Sequence, residues 1–371
     1  MAVRNHLLRL LAGAVTAATP AFAAAQSAPS FPSWFSPPSL PALSSPPPLA
    51  TKAAPIANVE YFAPRVFPAW QADFGARYWF AEGKTGMSLY GPQSLYGGMV
   101  SRLTYRDFVT NSGELYGRMA NTYGLFIKGY AGIGGISGGT LQDEDFPTPS
   151  FAPYSSTESS QRNGNLSYGT LDIGYDFVRG GDFNLGAFVG YTAFREMLNA
   201  FGCTQAATNP NVCQPAVPSG IKIITQKNVW QAPRVGANGS VTLGRFTLTA
   251  DAAWLPYVRL DGSDTHWLRI GSAAGDFTGP IPQDGSGMGY QLEAQLSYNV
   301  TTNINVGAGV RYWHLQTNSG TAHFENHIFE EEGLPQPLFW KTDVFGTFIG
   351  ASYRFGPYPF PGMSYPFAGL F

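Results

Sequence analysis

Apolar and polar residues alternate along much of this chain. Between Tyr290 and Val300, the residues Tyr290, Leu292, Ala294, Leu296, Tyr298 and Val300 share one face of an extended segment, and Gln291, Glu293, Gln295, Ser297 and Asn299 share the other. A period of two predicts a strand with unlike environments on its two faces. The same rhythm sets Phe74, Ala76, Tyr78 and Phe80 against Asp73, Gly75 and Arg77, and recurs with Ile304, Val306, Ala308 and Val310. Such segments predict about ten strands, over 71–91, 97–122, 124–137, 166–179, 183–199, 222–242, 245–261, 288–300, 303–319 and 338–355. Their connections differ in kind. Residues 121–124, 179–182, 244 and 301–302 are short turns, whereas 138–165, 200–221, 262–287 and 320–337 are long polar loops. A β-sandwich would place turn signals every 8–12 residues. Short turns at one end and long loops at the other predict an all-β fold, a transmembrane antiparallel β-barrel of about ten strands, with long extracellular loops and short periplasmic turns.

Composition strengthens this picture. Only 12% of the 371 residues are charged and 15% are aromatic, where a soluble domain carries about a quarter charged residues. A mean hydropathy of −0.08 excludes a chain built from membrane helices. The formal net charge is −2 with no basic block, which excludes nucleic acid as an expected partner. Residues 1–25 read as a signal peptide: Arg4 and Arg9, an apolar stretch from Leu7 to Ala18, then small residues at Ala21, Ala23 and Ala25. Residues 26–70 form a proline-rich lead-in unable to bury a core, 71–355 the barrel, and 356–371 a tail. Cys203 and Cys213 are the only cysteines, and in an oxidising compartment they are expected to close a local loop by a disulfide. No metal site is expected. His323 and His327 stand four apart, but among Gly320, Gly333 and Pro335 and without the zinc-peptidase order.

Two polar clusters could carry chemistry. In Asp143-Glu-Asp145, alternate residues of an extended segment place two carboxylates side by side. Such a pair tends to hold one proton and can polarise a water. In Asp264-Thr-His266 a carboxylate can orient an imidazole as a general base. Each cluster is expected to open a long loop. Straight alternation puts both on the lipid-facing parity, so a bulge must turn each inward, with glycines 132, 134, 135, 138, 139 and 262 placed to permit it.

The chain from about 71 to 355 resembles the omptin family, ten-stranded outer-membrane barrels that are endopeptidases. The resemblance is carried by Glu82-Gly-Lys-Thr85, by Val100-Ser-Arg-Leu-Thr-Tyr105, and by Gly138-Gly-Thr-Leu-Gln-Asp143-Glu-Asp145-Phe146. It continues through Gly190-Tyr191 with Arg195 and Asp264-Thr-His266-Trp267. The resemblance implies that a water is held between Asp143 and His266, that Asp264 orients His266, and that Asp145 couples to Asp143. It also implies extracellular polypeptide substrates and lipopolysaccharide bound on the outer wall by Tyr191 and Arg195, although Val229 stands where a further basic residue is expected. No other cofactor is implied. The positions matching the acids of the substrate pocket are Met87 and Gly262, with Asp261 adjacent on the wrong parity, so selectivity for Arg or Lys is not expected. Two other readings share the same strands. One is a non-catalytic barrel serving adhesion or envelope structure. The other is a pore, opposed by Arg77, Arg234, Glu293 and Arg311 on the lumen parity, where paired charges would plug ten strands.

Overall fold

The computed structural model describes residues 70–91, 98–147, 152–271, 277–324 and 335–356. The signal peptide, the proline-rich lead-in and residues 357–371 lie outside them. Twelve antiparallel strands form one ring: β1 (Trp70–Tyr90), β2 (Met99–Asn121), β3 (Leu125–Ser137), β4 (Thr140–Asp145), β5 (Ser155–Gln161), β6 (Gly164–Arg179), β7 (Phe183–Gln205), β8 (Val217–Leu243), β9 (Phe246–His266), β10 (Ile281–Asn299), β11 (Ile304–Ala322) and β12 (Gln336–Phe355). Strands β3 and β4 both pair with β2, and β5 and β6 both pair with β7. Each couple therefore makes one stave, and the ring has ten. It closes between β1 and β12 in an unbroken register from Ala72↔Phe355 to Leu89↔Leu338. Closure leaves no edge strand with unpaired backbone groups, which a lipid environment demands.

The alternation becomes two surfaces. Leu115, Ile133, Leu171 and Ile349 point outward and are exposed, as a lipid-facing band requires. Aromatic residues flank this band. Phe74 and Phe355 meet edge-on at 6.2 Å near the short-turn end, where Phe246 also packs on Tyr298 at 5.1 Å. Trp254, Tyr257 and Tyr290 stand exposed on the other side of the band. Beyond that level the outward positions turn polar, with Glu82 and Lys84 on β1 and Arg259 and Asp261 on β9. The staves continue past the band as a rim.

The strands reach further into that rim than the alternation predicts. The third stave runs on to Asp145, the fourth starts at Ser155, the seventh reaches His266 and the eighth starts at Ile281. Four expected long loops shrink accordingly, and Asp143, Asp145, Asp264 and His266 lie on strands, not in loops. The reason is physical. Above the band both faces of a stave meet polar surroundings, so the contrast that generates period two is gone. Ser155, Ser156, Thr157, Ser159 and Gln161 of β5 are all buried although every one is polar.

The lumen is filled. Arg77 bonds Glu114 (Nε–Oε1 2.6 Å) and Glu293 (2.5 Å), while Arg311 bonds the same two carboxylates at 2.6 and 2.7 Å. A second layer joins Lys128 and Arg234 to Asp251 and Asp172. Above the first layer, Trp79, Trp313, Tyr168 and Phe194 interlock with ring centroids 4.9–5.5 Å apart. Planar-bilayer recordings of the refolded barrel are expected to show no channel events; steady single-channel conductance would restore the pore reading.

Candidate active site

Asp143 and Asp145 face inward because the third stave breaks its parity. In β3 the buried residues are Phe126, Gly132 and Ile136; in β4 Leu141 is buried, and the half-buried Asp143 and Asp145 share its parity, the three standing opposite Tyr105, Leu103 and Ser101. The switch occurs at Gly138 and Gly139, whose φ angles are 71° and 90°. A Cβ on Gly139 would lie 2.6 Å from the Arg106 carbonyl oxygen, so the backbone approach admits glycine alone. Neighbouring staves break at the same level, at Asp107 (φ 56°) and Asn163 (φ 56°). Glycines 132, 134 and 135 sit in regular ladder positions opposite Glu114, Ser112 and Asn111 and have no part in the switch.

Asp264 and His266 are turned inward by a different break from the one expected. Ala253 and Leu255 are buried, then Pro256 and Tyr257 are both exposed, and Val258, Leu260, Gly262 and Asp264 are buried. The register slips there against both neighbours, between Gly287 and Gly289 of β10 and between Gln231 and Val235 of β8. Pro256 has no N–H to give the ladder, which is where a strand accepts a bulge. Gly262 itself is regularly paired with Asn228 and Gln283.

The two clusters stand on staves three and seven. Burial pushes the Asp143 carboxyl up to about 7, and the adjacent Asp145 charge adds to the rise. Burial also raises Asp145, against a hydrogen bond from Ser101. Two carboxyls so placed share one proton near neutrality. The His266 Nε2 atom lies 3.0 Å from Asp264 Oδ2. Burial works against a charged imidazole, but Asp264, with help from Asp143, outweighs it and holds His266 above its ordinary value. Asp264 is 2% exposed. The arrangement sets an imidazole made more basic by Asp264 on one side and a carboxyl pair sharing one proton on the other.

Beneath lies a floor the sequence reading missed. Met87 is buried, and its sulfur accepts from Gln283 Nε2 at 3.5 Å. Gln226 Nε2 donates to Gln283 Oε1 (2.9 Å) and Asn228 Oδ1 (2.7 Å). A side chain added at Gly262 would start 3.3 Å from both acceptors. Below them Glu196 accepts from Thr85, Asn228 and Thr342 at 2.9–3.2 Å. Carboxamides and a thioether therefore occupy the level of Met87 and Gly262. The inward parity of Glu196, one step from outward Arg195, was the available signal. Asp261 points outward and is exposed.

Tyr191 and Arg195 also point outward and are exposed, with Tyr191 OH 3.5 Å from Gln231. Val229 is Arg195's cross-strand partner. Lys227, two residues from Val229 on β8, and Arg259 and Asp261 on β9 are exposed on the same wall, so three cations and one carboxylate stand there with Tyr191. Cys203 and Cys213 are disulfide-bonded. His323 pairs with Asp284 (2.6 Å), and His327 lies outside the described residues. Among the described residues no group of three or more His, Cys, Asp or Glu is placed to hold a metal ion.

Closed ring, lipid-facing band, aromatic flanks and filled lumen define an outer-membrane β-barrel whose rim carries an Asp–Asp and a His–Asp pair. Among solved structures, the outer membrane protease OmpT from Escherichia coli matches 77% of this chain and 97% of its own, with TM-score 0.62 and 18% identity. The resemblance to omptins thus holds at the level of the fold. The translocator domain of the autotransporter NalP from Neisseria meningitidis is far looser (TM-score 0.31, 11% identity, 76% of this chain and 88% of that one). So is Ail, the attachment invasion locus protein of Yersinia pestis (TM-score 0.25, 8% identity, 76% and 98%). No family model and no curated protein sequence matches the chain.

Proposed function

We propose that this protein is an omptin-like endopeptidase of the aspartic type, acting at the extracellular rim on polypeptides. The observation that supports the reading is that the third stave, carrying Asp143 and Asp145, and the seventh, carrying Asp264 and His266, each have a backbone break just before the pair that brings it to inward parity. A water between Asp143 and His266 gives its proton to His266 as its oxygen attacks the scissile carbonyl carbon. Asp264 keeps the imidazole oriented and favours its protonated form. The Asp143–Asp145 pair, sharing one proton, stabilises the oxyanion that forms. His266 then passes its proton to the departing amine nitrogen, and the products are a carboxylate and an amine. No covalent intermediate is required. Lipopolysaccharide on the basic wall bearing Tyr191, Arg195, Lys227 and Arg259 is the proposed lipid partner and activator.

A non-catalytic barrel is the second reading, favoured by the absence of acids at Met87 and Gly262. One experiment addresses both. The refolded barrel, with lipopolysaccharide, is incubated with a pooled peptide library. Cleavage is expected, with dibasic sites cut no faster than apolar ones, because a thioether and carboxamides line the level of Met87 and Gly262 while the Glu196 carboxylate beneath is engaged by Thr85, Asn228 and Thr342. A strong dibasic preference would overturn the specificity, and silence from an intact barrel would overturn the peptidase.

A further inference from the structure

On the outer wall of the rim, β1, β2, β11 and β12 border a groove of about 350 Å³. Its floor is Gly86, an outward position flanked by Lys341 of β12 and Thr104 of β2. A side chain added at Gly86 would meet only the Leu103 carbonyl oxygen at 3.3 Å and the Thr104 hydroxyl at 4.0 Å, so the space over the glycine is open. On its β11 side the ladder to β12 is interrupted by a bulge between Gln316 and Thr321. Three cations, Lys84, Arg102 and Lys341, line the groove with Ser88, Thr104 and one carboxylate, Asp343. That carboxylate is already engaged: Tyr312 OH donates to its Oδ1 at 2.6 Å, and His314 Nδ1 lies 2.7 Å from the same atom. Arg102 is held by Glu144 at 2.7 Å. Lys341 stands 3.5 Å from Asp343 with its side chain 60% exposed, and Lys84 makes no hydrogen bond or ion pair among the described residues. The groove therefore keeps a surplus of positive charge, carried chiefly by the two lysines.

Its height fixes what meets it. Exposed Phe345 pairs with Glu82; Lys84 pairs with Asp343 two residues higher, and Gly86 with Lys341 four residues higher. At about 3.3 Å per residue and a tilt of about 40°, the lysines stand roughly 5–10 Å above that aromatic level. The headgroup layer of a bilayer adds about 5–8 Å to each side of the hydrocarbon, and a lysine stem spans the remainder. We propose that this groove seats the phosphate of an anionic membrane lipid, over Gly86 and between the Lys84 and Lys341 ammonium groups. The glycine lets phosphate oxygens approach the strand, where the Ser88 and Thr104 hydroxyls can donate to them. Exposed Phe80 and Phe345 just below give the acyl chains of the same molecule a wall to lie on, which a free phosphate does not need. The groove is on staves one, two, nine and ten, across the ring from Tyr191, Arg195, Lys227 and Arg259 on staves five to seven. It is a separate site and does not depend on the peptidase reading.

The test is native mass spectrometry of the refolded protein in neutral detergent, with phosphatidylglycerol, phosphatidylcholine or inorganic phosphate added. Arg195→Gln with Lys227→Gln is the background throughout, so that the opposite wall contributes little. Phosphatidylglycerol is expected to bind at one site, ahead of net-neutral phosphatidylcholine, and inorganic phosphate is expected not to displace it. Lys84→Gln with Lys341→Gln should weaken that binding about thirtyfold, the factor that two cations beside a charged lipid surface supply. Gly86→Val, which fills the groove and leaves every charge in place, should weaken it as well. Unchanged affinity in the lysine variant overturns the proposal. Loss in the lysine variant with full binding in Gly86→Val overturns the seat and leaves only diffuse attraction between charges. Displacement by inorganic phosphate overturns the lipid as occupant. If the lysine variant folds poorly, Gly86→Val decides alone, since full binding there removes the seat.

Discussion

Replacing His266 by alanine is expected to lower kcat by about 10²–10⁴, the range a positioned general base supplies, while the barrel stays folded. Asp143→Asn should cost a similar factor, because an amide cannot share the proton that Asp143 and Asp145 hold between them. The side chains act on one water and one oxyanion, so their losses should not add. The double variant His266→Ala with Asp143→Asn is expected to be no slower than the worse single variant. Single-turnover rates on one peptide, with circular dichroism to verify the β-structure, measure this. Full activity in either single variant would remove that residue from the mechanism.

The second large effect lies below the site. Glu114 is held by both Arg77 and Arg311 and is 3% exposed. Glu114→Gln would leave two buried guanidiniums sharing Glu293. Breaking a buried pair by removing one partner costs about 3–5 kcal/mol, chiefly because the stranded charge has no water. Unfolding in urea from detergent or vesicles is expected to show a loss of that size. The rim pair Arg106–Glu158, at 3.3 Å with both side chains well exposed, offers the contrast. Glu158→Gln should change stability by about 0–1 kcal/mol, since water and salt screen the pair. Equal effects at the two places would mean that the lumen is wetter than its packing implies.

Legibility in the sequence followed the physics of contrast. Where one face of a stave meets lipid and the other a filled lumen, alternate residues differ in kind, and strands such as β1 and β11 are readable within a few residues. The lumen charges Arg77, Arg234, Glu293 and Arg311 were readable from parity in the same way. Above the band, contrast fails. The serine-rich β5 carries no periodic signal, so it read as loop although it pairs with β4 and β7.

The candidate site shows the same division. Its four residues were legible as two local clusters, because Asp143 with Asp145 and Asp264 with His266 are neighbours in the chain. The inward switch at Gly138–Gly139 was also legible, glycine being the residue that admits a positive φ. The break at Pro256–Tyr257 was not, for a proline in a strand marks only that one ladder bond is missing and says nothing of which parity follows. The side chains of the Gln226–Asn228–Gln283–Glu196 floor were hidden for another reason. Their meaning depends on neighbours from other staves, at cross-strand registers that a one-residue slip would reverse.

By itself the sequence determined the all-β class, the ten-stave count, the lipid-facing and lumen-facing parities and the two local polar clusters, since each follows from residues close together in the chain. Only the tertiary structure decided which backbone breaks turn each pair into the rim and which side chains from other staves lie beneath them. Those are long-range facts: a closed ring brings side chains more than a hundred residues apart into one rim, and no local pattern encodes the register at which it closes.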